Sequence, residues 1–409
     1  MNPLYVGIDV SSKSNVVYLM LPDGSKHSNF SVANSHDGST QLVKRILSAI
    51  KSLSLDTVII GLEATSVYGD NLVYFLREDA TLVPYDKKIH VLNPKQVKNF
   101  KEAYNDLPKN DYVDSYVIAD CLRFGRINKE VYQSDYRYKA LQNLTRARFF
   151  AVQNLVKEKQ RFINVLFKKY STMTQEKVFG DTFSTTALAV YEEFESAEAL
   201  ASMDLQELTD FIMEKGKNRF PNPDAVAKAI QKAARSSYRL PKTVNDSVNQ
   251  VLSISITSIK ALDAQIKEFD KAIKAQMELL PNVLTSIPGI GPVYSAGIIA
   301  EIGDINRFPS QAQLGKYAGL AWTQNQSGDF EAENTKLIQS GNRFLKYYLC
   351  EGALSLVKCD TEYRNFYHSK YKEVTNRHQH KRALALTARK LVRLIFRLLK
   401  DNRLYRAAE

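Results

Sequence analysis

Residues 4–21 read Leu4-Tyr5-Val6-Gly7-Ile8-Asp9-Val10-Ser11-Ser12-Lys13-Ser14-Asn15-Val16-Val17-Tyr18-Leu19-Met20-Leu21. Two short apolar runs, 4–8 and 16–20, flank a polar stretch, and such a pair is a hairpin of two core strands. Pro22-Asp23-Gly24 then signals a turn, and Ser28-Asn29-Phe30-Ser31-Val32 supplies a third strand. Leu42, Ile46, Leu47 and Ile50 recur at helical period. The run Thr57-Val58-Ile59-Ile60-Gly61-Leu62 has the length and near-continuous apolarity of a strand buried on both faces, as parallel strands are.

Three antiparallel strands, a helix and a parallel strand match the opening of an RNase H-like α/β fold. A helix over 71–76, a strand near 89–92 and a helix opened by Pro108 and Asp111 and carried by Val117, Ile118 and Leu122 continue it. From about residue 137 to 280 the chain reads as mostly helical. Ile259, Leu262, Ile266, Phe269 and Ile273, spaced 3, 4, 3 and 4, form an a/d seam that fits either a bundle or a dimeric coiled coil. Pro281 opens a new compositional regime. The expected division is 1–136, 137–280 and 281–409: an α/β domain, a helical middle and a mainly α C-terminal domain.

At 409 residues the chain has room for two or three domains. Hydrophobic residues at 44% and charged residues at 24% are those of an ordinary globular protein, and no apolar run reaches the ~20 residues that cross a bilayer. The N-terminus lacks the pattern of a secretory signal, so a cytoplasmic location and no membrane partner are expected. Cys121, Cys350 and Cys359 show no CxxC spacing, which speaks against a disulfide framework or a zinc site. The net charge is +12, and it is concentrated. Residues 361–409 hold 13 Lys or Arg against 4 Asp or Glu, and residues 137–170 hold 9 against Glu158 alone, leaving the remainder at −5. Two basic blocks on a mildly acidic body are the footprint of a polyanion-binding protein, the alternative being solvated helix faces. Tyr136, Tyr138, Phe149, Phe150, Phe162 and Phe167 interleave with the basic residues, as in stacking platforms for unpaired bases or as core positions of a helix.

The chemistry centres on carboxylates. Asp9 ends the first strand and Glu63 directly follows the run 57–62, while Asp111 and Asp114 share one face of a helix's first turn. Asp111 alone would be an N-cap; Asp9 and Glu63, abutting two core strands, are poorly explained by packing. Convergent oxygen donors of this kind suit Mg²⁺, or Mn²⁺, in phosphate displacement. Further on, Ile287-Pro288-Gly289-Ile290-Gly291-Pro292-Val293 has the pattern of a helix-hairpin-helix, or of a plain interhelical turn. The loop Gly319-Leu320-Ala321-Trp322-Thr323-Gln324-Asn325-Gln326-Ser327-Gly328-Asp329-Phe330 places a serine beside a glycine and leads to Gly341-Asn342-Arg343-Phe344-Leu345-Lys346, the start of a basic helix.

Taken together, these segments resemble the DEDD transposases of the insertion-sequence one-ten family, RNA-guided serine recombinases of bacterial mobile elements. The carriers are Gly7-Ile8-Asp9-Val10-Ser11-Ser12-Lys13, Glu63-Ala64-Thr65 with Tyr68-Gly69, Lys109-Asn110-Asp111-Tyr112-Val113-Asp114 with Ile118-Ala119-Asp120, the glycine hairpin and the serine loop. The resemblance implies a RuvC-like domain whose acidic quartet is Asp9, Glu63, Asp111 and Asp114, a coiled-coil connection, and a C-terminal transposase domain whose nucleophile is Ser327. It further implies Mg²⁺, donor and target DNA, a structured noncoding guide (bridge) RNA, a dimer or tetramer, and action at the nucleoid. Trp322 stands where the family often has proline, and Lys336-Leu337-Ile338-Gln339-Ser340-Gly341 lacks the family's serine-lysine pair, which favours Ser327 over Ser340. The rival readings are a metal-dependent Holliday-junction-type endonuclease, with Ser327 an ordinary loop residue, and a non-catalytic nucleic-acid-binding protein.

Overall fold

The computed structural model describes residues 2–64, 67–104, 107–125, 135–176, 178–323, 326–327, 330–331 and 336–406, those at 326–327 and 330–331 by backbone. The chain forms two units, Met1–Ser134 and Asp135–Glu409. In the first, β1 (Pro3–Val10), β2 (Ser14–Met20), β3 (Lys26–Ala33), β4 (Thr57–Glu63) and β5 (Asp86–Leu92) make one sheet of order β3-β2-β1-β4-β5. β1, β2 and β3 pair antiparallel, and β1, β4 and β5 parallel. Ser11 closes the first turn, its Oγ accepting the Ser14 N–H at 3.0 Å and donating to the Ser14 carbonyl at 2.8 Å.

Alternation along the strands gives the sheet two different faces. Leu4, Val6, Ile8, Val58, Ile60 and Leu62 face a core with α1 (His36–Ser52) and α2 (Asp70–Glu78). Tyr5, Gly7 and Asp9, with Ile59, Gly61 and Glu63, alternate to the other face, where Tyr5 and Ile59 pack with α3 (Pro94–Lys101) and α4 (Asp111–Phe124). Gly7 and Gly61 are register partners, and α4 lies on them. A Cβ on Gly7 would sit 2.1 Å from the Ser115 carbonyl oxygen, and one on Gly61 2.8 Å from the Leu122 side chain. The glycine pair therefore lets a helix approach the sheet closely enough for its first turn to reach the strand ends.

The second unit begins with the long α5 (Tyr136–Lys169), followed by α6 (Ser171–Glu176), α7 (Thr185–Glu193), α8 (Ala197–Ser202), α9 (Leu205–Lys215), α10 (Pro223–Ser236) and a second long helix, α11 (Lys242–Met277). α12 (Pro292–Ile302), α13 (Gln311–Tyr317), the short strands β6 (Gln326–Ser327) and β7 (Phe330–Glu331), α14 (Arg343–Cys359), α15 (Thr361–Lys372) and α16 (Gln379–Asp401) complete it. α5 and α11 pack along one another and link two cores. Phe162, Leu166 and Tyr170 of α5 join Leu252, Ile256 and Ile259 of α11 beneath the intervening helices. Leu141 of α5 and Ile273 and Met277 of α11 join α12, α14 and α16. The a/d seam is thus occupied within the chain, and Leu280, at the expected boundary, is buried in the second of these cores.

Two local features differ from expectation. Residues 94–101 form α3, unannounced because Val97 and Phe100 are its apolar residues, although Asn93 caps it and Pro94 starts it. Ahead of the glycine hairpin stands a single 3₁₀ turn, Leu284–Ser286, where a helix-hairpin-helix has an α-helix. Pro281 and Pro288 leave no room for a longer one. Gly289, at φ +80°, turns the chain against α14, where a Cβ would meet Ser355 Oγ at 2.8 Å. Among the described residues no helix is long and apolar enough to cross a membrane.

Candidate active site

Parallel pairing sets Ile8 opposite Leu62, so Asp9 and Glu63 leave the sheet side by side at the carboxyl ends of adjacent strands. This is where open α/β sheets bind ligands. α4 starts above them, and the capping role open to Asp111 falls to Asn110, whose side chain accepts the Val113 N–H at 2.9 Å. Asp111 and Asp114 are left on the first turn, where the helix dipole favours negative charge. The electrostatics register the convergence. Burial first, then the charges of Asp114 and Asp111, push the Asp9 carboxyl up to about 6 against the pull of Lys101. Burial and the charges of Asp9 and Asp114 likewise raise Glu63.

An all-carboxylate donor set repelling itself in this way is chemically suited to a hard divalent cation. As placed, however, no three His, Cys, Asp or Glu side chains among the described residues stand close enough to share an ion. The local counter-charge is Lys101, at the end of α3, whose Nζ donates to Asp114 Oδ1 at 2.5 Å. Lys101 carries no sequence signal of its own, because the helix that delivers it was not apparent. Asp120, further along α4, has a different task. It is buried and accepts the Tyr104 hydroxyl and Arg123 Nε, the latter at 2.7 Å, which ties α4 to the segment after α3.

Ser327 belongs to the second unit. Its backbone lies in β6 opposite Phe330 of β7; Gly328 and Asp329 lie outside the described residues. The root of this hairpin is tightly built. The Thr323 N–H donates to the Lys336 carbonyl at 2.8 Å, the Ile338 N–H to that of Ala321 at 2.9 Å, and the Asn342 N–H to that of Tyr317 at 2.7 Å. Gly341, at φ +148°, crosses Gly319 so closely that a Cβ would lie 2.6 Å from the Gly319 Cα. Asn342 caps α14, accepting the N–H groups of Phe344 and Leu345 at 3.0 Å, and donates to Glu301 Oε2 at 2.6 Å. Glu301 is buried on α12 and takes the Arg146 fork at 2.7 and 2.9 Å as well as Gln142 at 3.2 Å. This hub, unseen in the sequence, anchors the hairpin's return arm to α5 and α12. Ser340 is exposed on that arm.

Part of the basic excess is engaged internally. Arg137 pairs with Asp135 at 2.6 Å, Arg148 with Asp270, and buried Lys169 donates to the Tyr191 carbonyl at 3.1 Å. In the tail, Lys390 pairs with Glu362 at 2.6 Å, Arg382 with Glu373 at 3.0 Å, and Arg389 donates to the Gln311 carbonyl at 2.9 Å.

Residues 6–170 match the DEDD IS110-type family, described as transposase, and residues 282–368 match the transposase IS116/IS110/IS902 family. A protein of insertion element IS116 from Streptomyces clavuligerus is 27% identical over 340 residues, 80% of either chain. A protein of insertion element IS110 from Streptomyces coelicolor is 22% identical over 419 residues, 98% of this chain and 95% of its own. The transposase for insertion sequence element IS1111A from Coxiella burnetii is 28% identical over 164 residues, 39% of this chain and 44% of its own. A mixed sheet with carboxylates at its parallel strand ends, followed by a helical unit with its own family match, is an enzyme of the transposase class. The chain carries the two transposase domains of the IS110/IS116 family.

Proposed function

We propose that this transposase moves an insertion sequence by cutting and rejoining DNA through a covalent bond between Ser327 and a DNA phosphate, with Asp9, Glu63, Asp111 and Asp114 serving Mg²⁺ or Mn²⁺. The observation that carries this reading is the delivery of Asp9 and Glu63 to neighbouring strand ends beneath the first turn of α4. The strand order β3-β2-β1-β4-β5 supports an RNase H-like, RuvC-like assignment for the first unit.

In the chemical step Ser327 Oγ forms a bond to phosphorus as the bond from phosphorus to the departing DNA oxygen breaks. The proton lost by the serine is balanced by the one the DNA hydroxyl takes up. The number of phosphodiester bonds is conserved, so attack by a DNA hydroxyl on the phosphoserine rejoins strands without a nucleotide cofactor. A bound divalent ion supplies positive charge to the phosphate and its developing oxyanion. Donor and target DNA are the substrates; a structured noncoding guide RNA and assembly as a dimer or tetramer follow from the family resemblance, and the net charge of +12 is compatible with both nucleic acids.

Trapping on a suicide DNA substrate, with denaturing electrophoresis and peptide mapping, tests the reading. Wild-type protein is expected to form an adduct at Ser327, and Ser327→Ala to lose both adduct and cleavage while still binding DNA. An adduct at Ser340 would overturn the residue assignment. Cut ends without any adduct would make the protein a nuclease of the Holliday-junction type, and binding without cutting a non-catalytic DNA binder.

A further inference from the structure

The second unit carries a cluster of rings and a guanidinium that packing explains only in part. Phe149 and Phe150 of α5 meet Phe344 of α14 edge-on, with centroids 5.2 and 5.8 Å apart, and Tyr347 adds a contact to Phe149 at 4.8 Å. Packing of α5 on α14 accounts for Phe149, Phe344 and Tyr347, which are half-buried. It does not account for Phe150, which is 47% exposed. Nor does it account for Arg343, the exposed first residue of α14, whose guanidinium lies 5.5 Å from the Phe150 centroid and 4.8 Å from that of Phe344. Arg146, 4.6 Å from the same Phe344 ring, spends its charge on Glu301. Arg343 has no carboxylate partner among the described residues.

An exposed ring beside an exposed guanidinium suits a flat ring that bears a negative group, which is the chemistry of an unpaired nucleotide. The nine Lys or Arg against Glu158 alone in residues 137–170, the stretch that carries Phe150, favour a polyanion as the occupant over a protein. Position adds a further argument: Arg343 stands two residues after Gly341, where the return arm of the Ser327 hairpin closes on Gly319. We propose that Phe150 and Arg343 hold an unpaired nucleotide at the root of this hairpin, the base stacking on Phe150 and the phosphate meeting Arg343. That the nucleotide lies on the strand attacked by Ser327 rests on the function proposed above; the stacking itself does not.

The test uses the full chain and two oligomers of about twelve units, within the site size of single-strand binders. One is oligothymidylate, the other an abasic strand with the same phosphates and no bases. Wild-type protein should prefer the thymidylate by about 5- to 150-fold, the range that one stacked base supplies. Phe150→Ala should erase that preference without changing affinity for the abasic strand, and Phe150→Trp should restore it. Arg343→Gln should weaken both oligomers and reduce the slope of log affinity against log salt by about 0.7. Oligouridylate run in parallel identifies the source, since the strand that loses more on Phe150→Ala, DNA or RNA, is the one seated there. A wild-type protein indifferent to the bases, or a preference that survives Phe150→Ala, would overturn the proposal and leave the surface to some other partner. Ser327→Ala should keep the preference in full. A missing adduct therefore sinks the serine reading alone, and a missing base preference sinks the platform alone.

Discussion

Asp9 holds its proton more tightly in the fold than in an unfolded chain, about 6 against 3.8, because burial and the Asp114 and Asp111 charges oppose ionisation. Between those values the folded state binds more protons, so stability falls as pH rises through the window and the penalty is complete above about 6. Asp9→Asn, free of that penalty, should melt a few degrees above wild type at pH 8 in chelator, and the gap should close by pH 4. Mg²⁺ should raise the wild-type midpoint and barely move the variant's, while DNA cleavage collapses and DNA binding survives. A pH-independent gap, or equal Mg²⁺ stabilisation of both proteins, would count against Asp9 as a ligand. Glu301 is the instructive contrast. It is more deeply buried than Asp9 yet satisfied by donors from Arg146, Gln142 and Asn342, so burial of a carboxylate by itself does not mark a metal site. Asp9 and Glu63 were legible because a carboxylate at a strand end is anomalous in one dimension. Lys101 and the Glu301 hub were not, because their partners arrive from 13 and 155 residues away.

At the scale of elements, the site depends on how closely α4 can lie on β1 and β4. Substitutions at three glycines should therefore rank in a fixed order. Gly7→Ala drives a methyl into the Ser115 carbonyl at 2.1 Å, a backbone atom that moves only with the helix. It should destabilise the first unit by about 3 kcal/mol, at the upper end of overpacking penalties. Gly61→Ala meets the flexible end of Leu122 at 2.8 Å and should lose about 1 kcal/mol. Gly291→Ser, at φ −75° with nothing within 4 Å of the added Cβ, should stay within about 0.5 kcal/mol of wild type. Urea unfolding measures all three, and a Gly7→Ala protein as stable as Gly291→Ser would refute the close-approach argument. Hydrophobic period revealed the sheet and the long helices since each buries a regular stripe. It missed α3; of the two readings the glycine motif left open, a helix-hairpin-helix or a plain interhelical turn, the 3₁₀ turn Leu284–Ser286 between Pro281 and Pro288 sits closer to the second.

Across the whole molecule, net charge overstates the surface available to nucleic acid. The tail's excess of basic residues is real, but Arg389 packs its guanidinium against Gly315 and donates to the Gln311 carbonyl, while Lys390 is held by Glu362 beneath its position over the Tyr363 and Phe366 rings. Arg393 and Arg397 are exposed on the same helix, as are Lys381 and Lys400, and the Arg397–Asp401 pair at 3.8 Å is too open to water to neutralise Arg397 strongly. Counterion release depends on cations that reach phosphates, so the two classes should separate by experiment. Arg393→Gln with Arg397→Gln should leave the melting temperature unchanged and reduce the slope of log affinity against log salt on duplex DNA by about 1.8, roughly 0.9 for each contact removed. Arg389→Gln should do the reverse, keeping the slope and weakening the fold by about 1–3 kcal/mol as the Gln311 carbonyl loses its donor. If the double variant kept the wild-type slope, the outer face of α16 would be solvated helix surface, and the DNA contacts of the second unit would have to come from α5 and the hairpin instead.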